Sequence, residues 1–381
     1  MSWTLGLEQL DDLARGAAIL GTGGGGDPTI GRLLVREAMR EYGPVTVLDP
    51  DEVADDAFVV PVANMGAPTV MVEKLPGADE PVAALRALET FTGRKADATM
   101  PIECGGSNSL IPLIVAARTG LPVVDADGMG RAFPELQMET FHVYGIPASP
   151  LAMAGEHGET CVFDTGKDTK RLEDLARRVT VGLGGGAAIA EYSMTGEQLK
   201  RTAVPRTLSL ALSLGRAVRE AREAHRDPVE ALGEAVGGTI YGHLRVLFRG
   251  KVTDVERRTE GGFARGRATF AAFEGDSDLE LRFQNEHLAA LRDGEPICVV
   301  PDLVCVLEAD TGEPITTEAL RYGQRVTVIG IAAPAIMRTP EALNVFGPSC
   351  FGLPYEFRPV EERLPISSPC RGHLPAVAGG D

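Results

Sequence analysis

Gly21-Thr22-Gly23-Gly24-Gly25-Gly26-Asp27-Pro28 joins an apolar run, Ala17-Ala18-Ile19-Leu20, to a segment where Ile30, Leu33, Leu34 and Met39 recur at helical spacing. Five of these eight residues are glycine. Glycine has no Cβ, so the loop can adopt positive φ and lie close against another group. Asp27 occupies the N-cap position of the following helix and Pro28 its first position. A helix start of this kind offers backbone N–H groups to an anion or a polarised oxygen. Four consecutive glycines exceed the need of a tight turn, which favours a ligand-facing loop over one pressed beneath a neighbouring element. The loop lacks the Gly-Lys-Ser/Thr of a phosphate loop and the spaced glycines and acid of a dinucleotide site, so no nucleotide is expected.

On either side the chain alternates helical and extended patterns. Apolar residues share one helical face over 6–18; strands are read at 45–48, 57–63, 98–103 and 122–124, with helices over 81–92 and 110–119. The alternation predicts an α/β domain: three layers, with helices on a mostly parallel sheet. Ligands bind beyond the carboxyl ends of such strands. Four loops would meet there: 21–28, 64–68, 103–109 and 125–135.

Further helices are read at 168–180 and 205–224. From about Gly237 the texture becomes strand-like, over 240–255, 268–272, 279–283, 297–307 and 325–331, with turns at Gly261-Gly262 and Arg292-Asp293-Gly294. The domain plan is therefore an α/β unit over 1–180, a helical connection over 181–236, and a mainly-β, barrel-like unit over 237–335. A short helix and a strand-like 355–358 would let 336–362 complete the first unit. The Pro-, Ser- and Gly-rich 363–381 reads as a disordered tail.

The chain has 381 residues, a formal net charge of −17 and a pI near 4.9. That charge would repel nucleic acid and anionic lipid, so neither is an expected partner. The N-terminus lacks a basic, apolar leader, and the six cysteines show no paired spacing. A cytoplasmic location with reduced thiols is the expectation.

Acids gather beside the glycines: Asp27, Glu103, Asp125, Asp127 and Glu135. Such carboxylates serve as general acids and bases or hold metals. Asp125 and Asp127 alternate, so on an extended strand they would point the same way and could share a zinc-like divalent ion; Asp127 could instead cap the Gly128 turn. Arg131 would hold a substrate carbonyl or carboxylate, or pair with Glu135. Ser107 or Asn108 caps the next helix, and Asn108 could also meet a polar ligand. Thr22, Gly23, Gly24 and Gly25 would line the anion hole.

Leu20–Pro28 with Gly31-Arg32, then Gly66-Ala67-Pro68, Glu103 with Gly105-Gly106, Asn108-Ser109 and Asp125–Glu135 resemble the S-methyl thiohydantoin desulfurase family. So do Phe248–Val252, Gly262–Gly266, Phe283-Gln284-Asn285-Glu286 and Leu320-Arg321-Tyr322-Gly323-Gln324-Arg325-Val326. The resemblance spans about residues 5–360. It implies an N-terminal α/β domain followed by a β-barrel domain. It also implies hydrolytic loss of sulfur from a thiohydantoin-type ring, leaving a hydantoin, with a small cyclic amide as substrate. Members stand beside hydantoinase/oxoprolinase-type proteins, so such a partner, or a non-catalytic subunit role within its complex, is the alternative. Self-association into a homo-oligomer is a further expectation. On chemical grounds Asp125 and Asp127 would activate water, Glu103 would donate a proton, and Arg131 and Asn108 would orient the ring.

Overall fold

The computed structural model describes residues 1–66, 77–260, 263–273 and 277–363. Ala67-Pro68, the turn read at Gly261-Gly262 and the tail beyond 363 lie outside the described residues. Among those described, the first domain is built on a nine-stranded mixed sheet. Its strands are β1 (Trp3–Leu5), β2 (Val45–Leu48), β3 (Phe58–Gly66), β4 (Ala98–Pro101) and β5 (Val123–Val124). They continue, past a short β6 (Ala126–Asp127), with β7 (Leu151–Ala154), β8 (Thr160–Phe163), β9 (Gly186–Ala190) and β10 (Met194–Thr195). The order is β1-β2-β5-β4-β3-β9-β7-β8, with β10 also on β3. Parallel pairing is confined to the central β2, β5, β4 and β3; both flanks are antiparallel.

The three layers follow from alternation along β3. Val60 and Val62 face a core with Leu13, Val35, Leu85 and Leu113, from the helices Leu10–Leu20, Pro28–Tyr42, Asp79–Thr92 and Ile111–Thr119. Val59, Ala63 and Met65 face the opposite core, with Leu172 and Ala176 of the helix Thr169–Gly182. At Gly16 and Gly215 an added Cβ would strike the carbonyls of Ala211 and Asp12, so the helices Leu10–Leu20 and Thr207–Glu223 touch backbone to backbone. The strand β9 sits inside the first sheet, so part of the stretch read as a helical connection is sheet. The hairpin of β7 and β8 also escaped the reading.

The second domain is antiparallel: β12 (Leu244–Glu260), β13 (Phe263–Ala272), β14 (Leu279–Gln284), β15 (Glu286–Arg292), β16 (Glu295–Val299), β17 (Leu303–Glu308) and β18 (Arg325–Ile331). Its order, β16-β15-β14-β13-β12-β18-β17, forms a curled half-barrel. Between the domains β6 pairs with β11 (Val204–Pro205). After β18 the chain returns to the first domain: Phe346 stacks on Phe133 at 5.0 Å. It then lies on the second, where Leu353, Tyr355 and Phe357 pack against Ala289, Leu291 and Val299. Residues 355–358 are irregular rather than a strand, since their contacts are side-chain contacts and no ladder partner is present among the described residues. No helix among the described residues is long and apolar enough to cross a membrane.

Candidate functional site

The glycine loop ends the helix Leu10–Leu20 and begins Pro28–Tyr42, whose N-cap Asp27 accepts from Thr29 N at 2.8 Å. Most of its glycines answer to close packing. At Gly23 (φ +88°) a Cβ would meet the His287 ring at 2.5 Å; at Gly24 it would meet Glu286 Oε1 at 2.1 Å; at Gly25 (φ +71°) it would meet Gly105 O at 2.3 Å. The loop is thus clasped between the Gly105-Gly106 segment and the β14–β15 reversal. Gly24→Ala is expected to destabilise the fold by about 1–3 kcal/mol through overpacking and to displace Glu286. Melting curves check it; an unchanged midpoint would show that the clasp is loose.

A cavity of about 430 Å³ opens beside this clasp. Gly25, Gly26 and Asp27 form one wall; Asn64 to Gly66, at the carboxyl end of β3, and Glu103 and Asn108, beyond β4, form a second. Phe133 to Leu136 close a third side, and the second domain adds Asn285, Glu286, Thr316, Glu318 and Arg321.

Two acids dominate the interior. Glu103 Oε1 accepts from Asn108 Nδ2 at 2.7 Å, while Oε2 has no partner among the described residues. Asn108 also accepts from Asn64 N at 2.9 Å, so it ties the end of β3 to Glu103. Burial, and then the nearby Glu286, push the Glu103 carboxyl well above the usual range. Glu286 likewise has an unpartnered Oε2. Burial raises it to about 8, against the pull of the Arg131 guanidinium. Asn285, in the left-handed region at φ +58°, sets Glu286 in place: its N donates to Ala264 O at 2.7 Å and its Oδ1 accepts from Ala264 N at 2.8 Å.

The other residues singled out by sequence divide between wall and support. Asp27 and Glu135 line the cavity, Asp27 exposed and Glu135 paired to Lys170 and Gln137. Thr22, Gly23, Gly24, Asp125, Asp127 and Arg131 do not line it. Asp125 is turned toward the helix Thr207–Glu223, accepting from Ser209 N at 3.0 Å and from the Ser209 hydroxyl. Asp127 faces elsewhere, accepting from Gly130 N at 2.9 Å and from Cys104 N. The pair therefore does not converge on a shared ion. Among the described residues no group of three or more His, Cys, Asp and Glu is arranged to hold a metal.

Arg131 is fully buried and spends its guanidinium on the protein: Nε donates to Ala132 O, Nη1 to Asp302 O, and Nη2 to Thr22 Oγ1 and His287 O, at 2.7–3.1 Å. It joins the two domains behind Glu286 rather than meeting a ligand. Cys104 is buried, and burial holds its thiol well above the usual range, so it packs as a small apolar group. Glu286, Glu318 and Arg321 line the cavity and were not singled out one by one in the sequence. They sit in the β half, where no glycine loop marks them; Glu286 and Arg321 fall within the motifs given above, and Glu318 lies just outside them.

Burial also sets a pH trend. It raises Asp302 to about 6, Asp127 to about 7 and Glu286 to about 8, from ordinary values of 3.8, 3.8 and 4.5. Each holds its proton longer in the folded chain, so its stabilising contribution is present below the ordinary value and lost as pH rises through the raised one. His287, lowered to about 4 by burial, acts in the opposite sense below its ordinary 6.5. The melting midpoint should therefore fall between about pH 6.5 and about 8. A midpoint that climbs across this window would contradict the burial of these acids.

A crystal structure of a protein from Chromobacterium violaceum, solved as a structural genomics target, superposes with a TM-score of 0.80 at 27% identity, covering 94% of this chain and 100% of that one. A comparison with curated proteins finds no match. The S-Me-THD-like N-terminal domain matches residues 8–165 and the S-Me-THD-like C-terminal domain residues 167–360, so the cavity lies where the two family domains meet and the chain belongs to the S-Me-THD-like family.

Proposed function

We propose that this cavity removes sulfur hydrolytically from a thiohydantoin-type five-membered ring, leaving a hydantoin. The observation that carries the reading is the meeting of Glu103 and Glu286. They are buried acids from different domains, each with an oxygen that has no hydrogen-bond partner among the described residues, beside one cavity. Family membership supports the substrate class.

A five-membered cyclic amide holds its N–H and C=O on the same side. A protonated carboxyl offers O–H and C=O in the complementary order, so Glu103 can pair with that edge. Glu286 is the acid whose ionised form the Arg131 charge favours, which makes it the base. The water oxygen bonds to the ring carbon that bears sulfur, and Glu286 takes one water proton. The carbon–sulfur bond breaks with its electron pair on sulfur, and Glu103 supplies the proton that completes the thiol. The second water proton ends on the ring nitrogen as the carbonyl forms. Proton return from Glu286 to Glu103 resets the pair. The Gly25-Gly26 backbone lines the cavity where negative charge develops; a well-aimed N–H there is worth about 3 kcal/mol.

The test is the purified chain alone with an S-methyl thiohydantoin. Equal amounts of methanethiol and hydantoin are expected. Absence of both, with a folded protein, would count against the reading.

A further inference from the structure

Phe263 opens β13, yet its ring reaches the first domain: the Arg177 guanidinium lies over it, 5.0 Å from the centroid. Arg177 stands on the helix Thr169–Gly182 and lines the cavity. It is held in place, since Nε donates to Glu173 Oε1 at 2.7 Å and Nη2 to Pro134 O at 3.0 Å. Arg265, from the same strand as Phe263, holds its own guanidinium 5.9 Å from the ring. Guanidinium planes stack on aromatic faces, so the half-buried Phe263 is seated by direction as well as by apolar contact.

The next residue passes that seat on. Ala264 and Asn285 exchange two hydrogen bonds, Ala264 N to Asn285 Oδ1 and Asn285 N to Ala264 O. Asn285 O also accepts from the Thr317 hydroxyl at 2.7 Å, and Thr317 O accepts from Arg257 Nη2 on β12. From the other side the reversal is tied to the glycine loop, by His287 N to Thr22 O at 2.7 Å and Thr317 N to Gly23 O at 2.8 Å. Two anchors therefore place Glu286: the glycine loop, and the Phe263 seat acting through Ala264. Glu286 Oε2 has no hydrogen-bond partner among the described residues. An oxygen without a bond of its own is aimed by the backbone that carries it.

We infer that Phe263 is a positioning residue: seated on Arg177, it fixes the aim of Glu286 through Ala264 and Asn285. This rests on the hydrolytic reading above, in which Glu286 is the base.

The experiment uses the full chain with an S-methyl thiohydantoin. It compares Phe263→Leu, Phe263→Tyr, Glu286→Gln and the double variant Phe263→Leu/Glu286→Gln. Phe263→Leu should lower kcat about 10-fold with KM within about twofold, because a small misplacement of a reacting group weighs on the chemical step. Phe263→Tyr keeps the aromatic face and should restore the wild-type kcat. In the Glu286→Gln background Phe263→Leu should cost nothing further. A wild-type kcat in Phe263→Leu, an equal loss in Phe263→Tyr, or the same 10-fold or so loss in the Glu286→Gln background would overturn the inference and leave the hydrolytic reading standing. Should Phe263→Leu not fold, Phe263→Met carries the same expectations. If the folded wild type turns nothing over, the hydrolytic reading fails, and crystal structures of the variants decide the inference. Glu286 should keep one orientation in the wild type and Phe263→Tyr, and be displaced or split in Phe263→Leu. An unmoved Glu286 in Phe263→Leu would overturn it.

Discussion

Glu286→Gln should lower kcat/KM by about a thousandfold, the range in which a positioned general base acts. The amide keeps the shape of the side chain but cannot take the proton from water. Stability should hold or rise, since the variant removes a buried acid whose charged form is disfavoured there. Activity in the wild type should climb with pH as Glu286 ionises near 8, because the ionised form is the working base. That limb should vanish from the residual activity of the variant. A variant that turns over normally, or a wild-type rate that falls as pH rises toward 8, would remove Glu286 from the role of base.

Arg131→Met should produce the largest loss of stability, on the order of 3–5 kcal/mol, because it leaves several buried acceptors without a donor. Those acceptors belong to both domains: Thr22 and Ala132 in the first, His287 and Asp302 in the second. The guanidinium also stacks 5.0 Å from the Phe133 ring, and Phe133 lines the cavity. Lys would restore little, since one ammonium cannot reach all four acceptors. In any variant that folds, loss of the Arg131 charge should move the Glu286 limb of the pH profile to higher pH, because that charge favours the ionised carboxylate. A midpoint within a degree or two of the wild type would show that the domains are held by other contacts.

Much of the fold was legible in local pattern. Asp27-Pro28 marked the start of its helix, and the run 57–63 marked β3 because a strand covered on both faces is apolar throughout. The hairpin of β7 and β8 was hidden: Leu151–Ala154 is short and Thr160–Phe163 is only partly covered, so neither carries a full alternating pattern. The β15 strand was hidden for a related reason, as Glu286–Arg292 opens with a buried acid and a buried histidine.

Part of the cavity lining was legible in the sequence. Glycine and acid marked Gly25, Asp27, Glu103 and Glu135, which line the cavity. The same signal marked Asp125 and Asp127, whose oxygens serve backbone N–H groups and the Ser209 hydroxyl instead. An acid that caps a turn and an acid that faces a ligand look alike along the chain. Only packing tells them apart, as only packing brings Glu286 to the glycine loop from more than two hundred residues away.

The most direct measurement is turnover of an S-methyl thiohydantoin in heavy-oxygen water, followed by mass spectrometry of both products. The hydantoin should carry one heavy oxygen at the carbon that held sulfur, with unlabelled methanethiol in equal amount, and Glu286→Gln should form neither at a comparable rate. Hydantoin without the label, or the same labelled product from Glu286→Gln at the wild-type rate, would contradict water activation by Glu286 in this cavity.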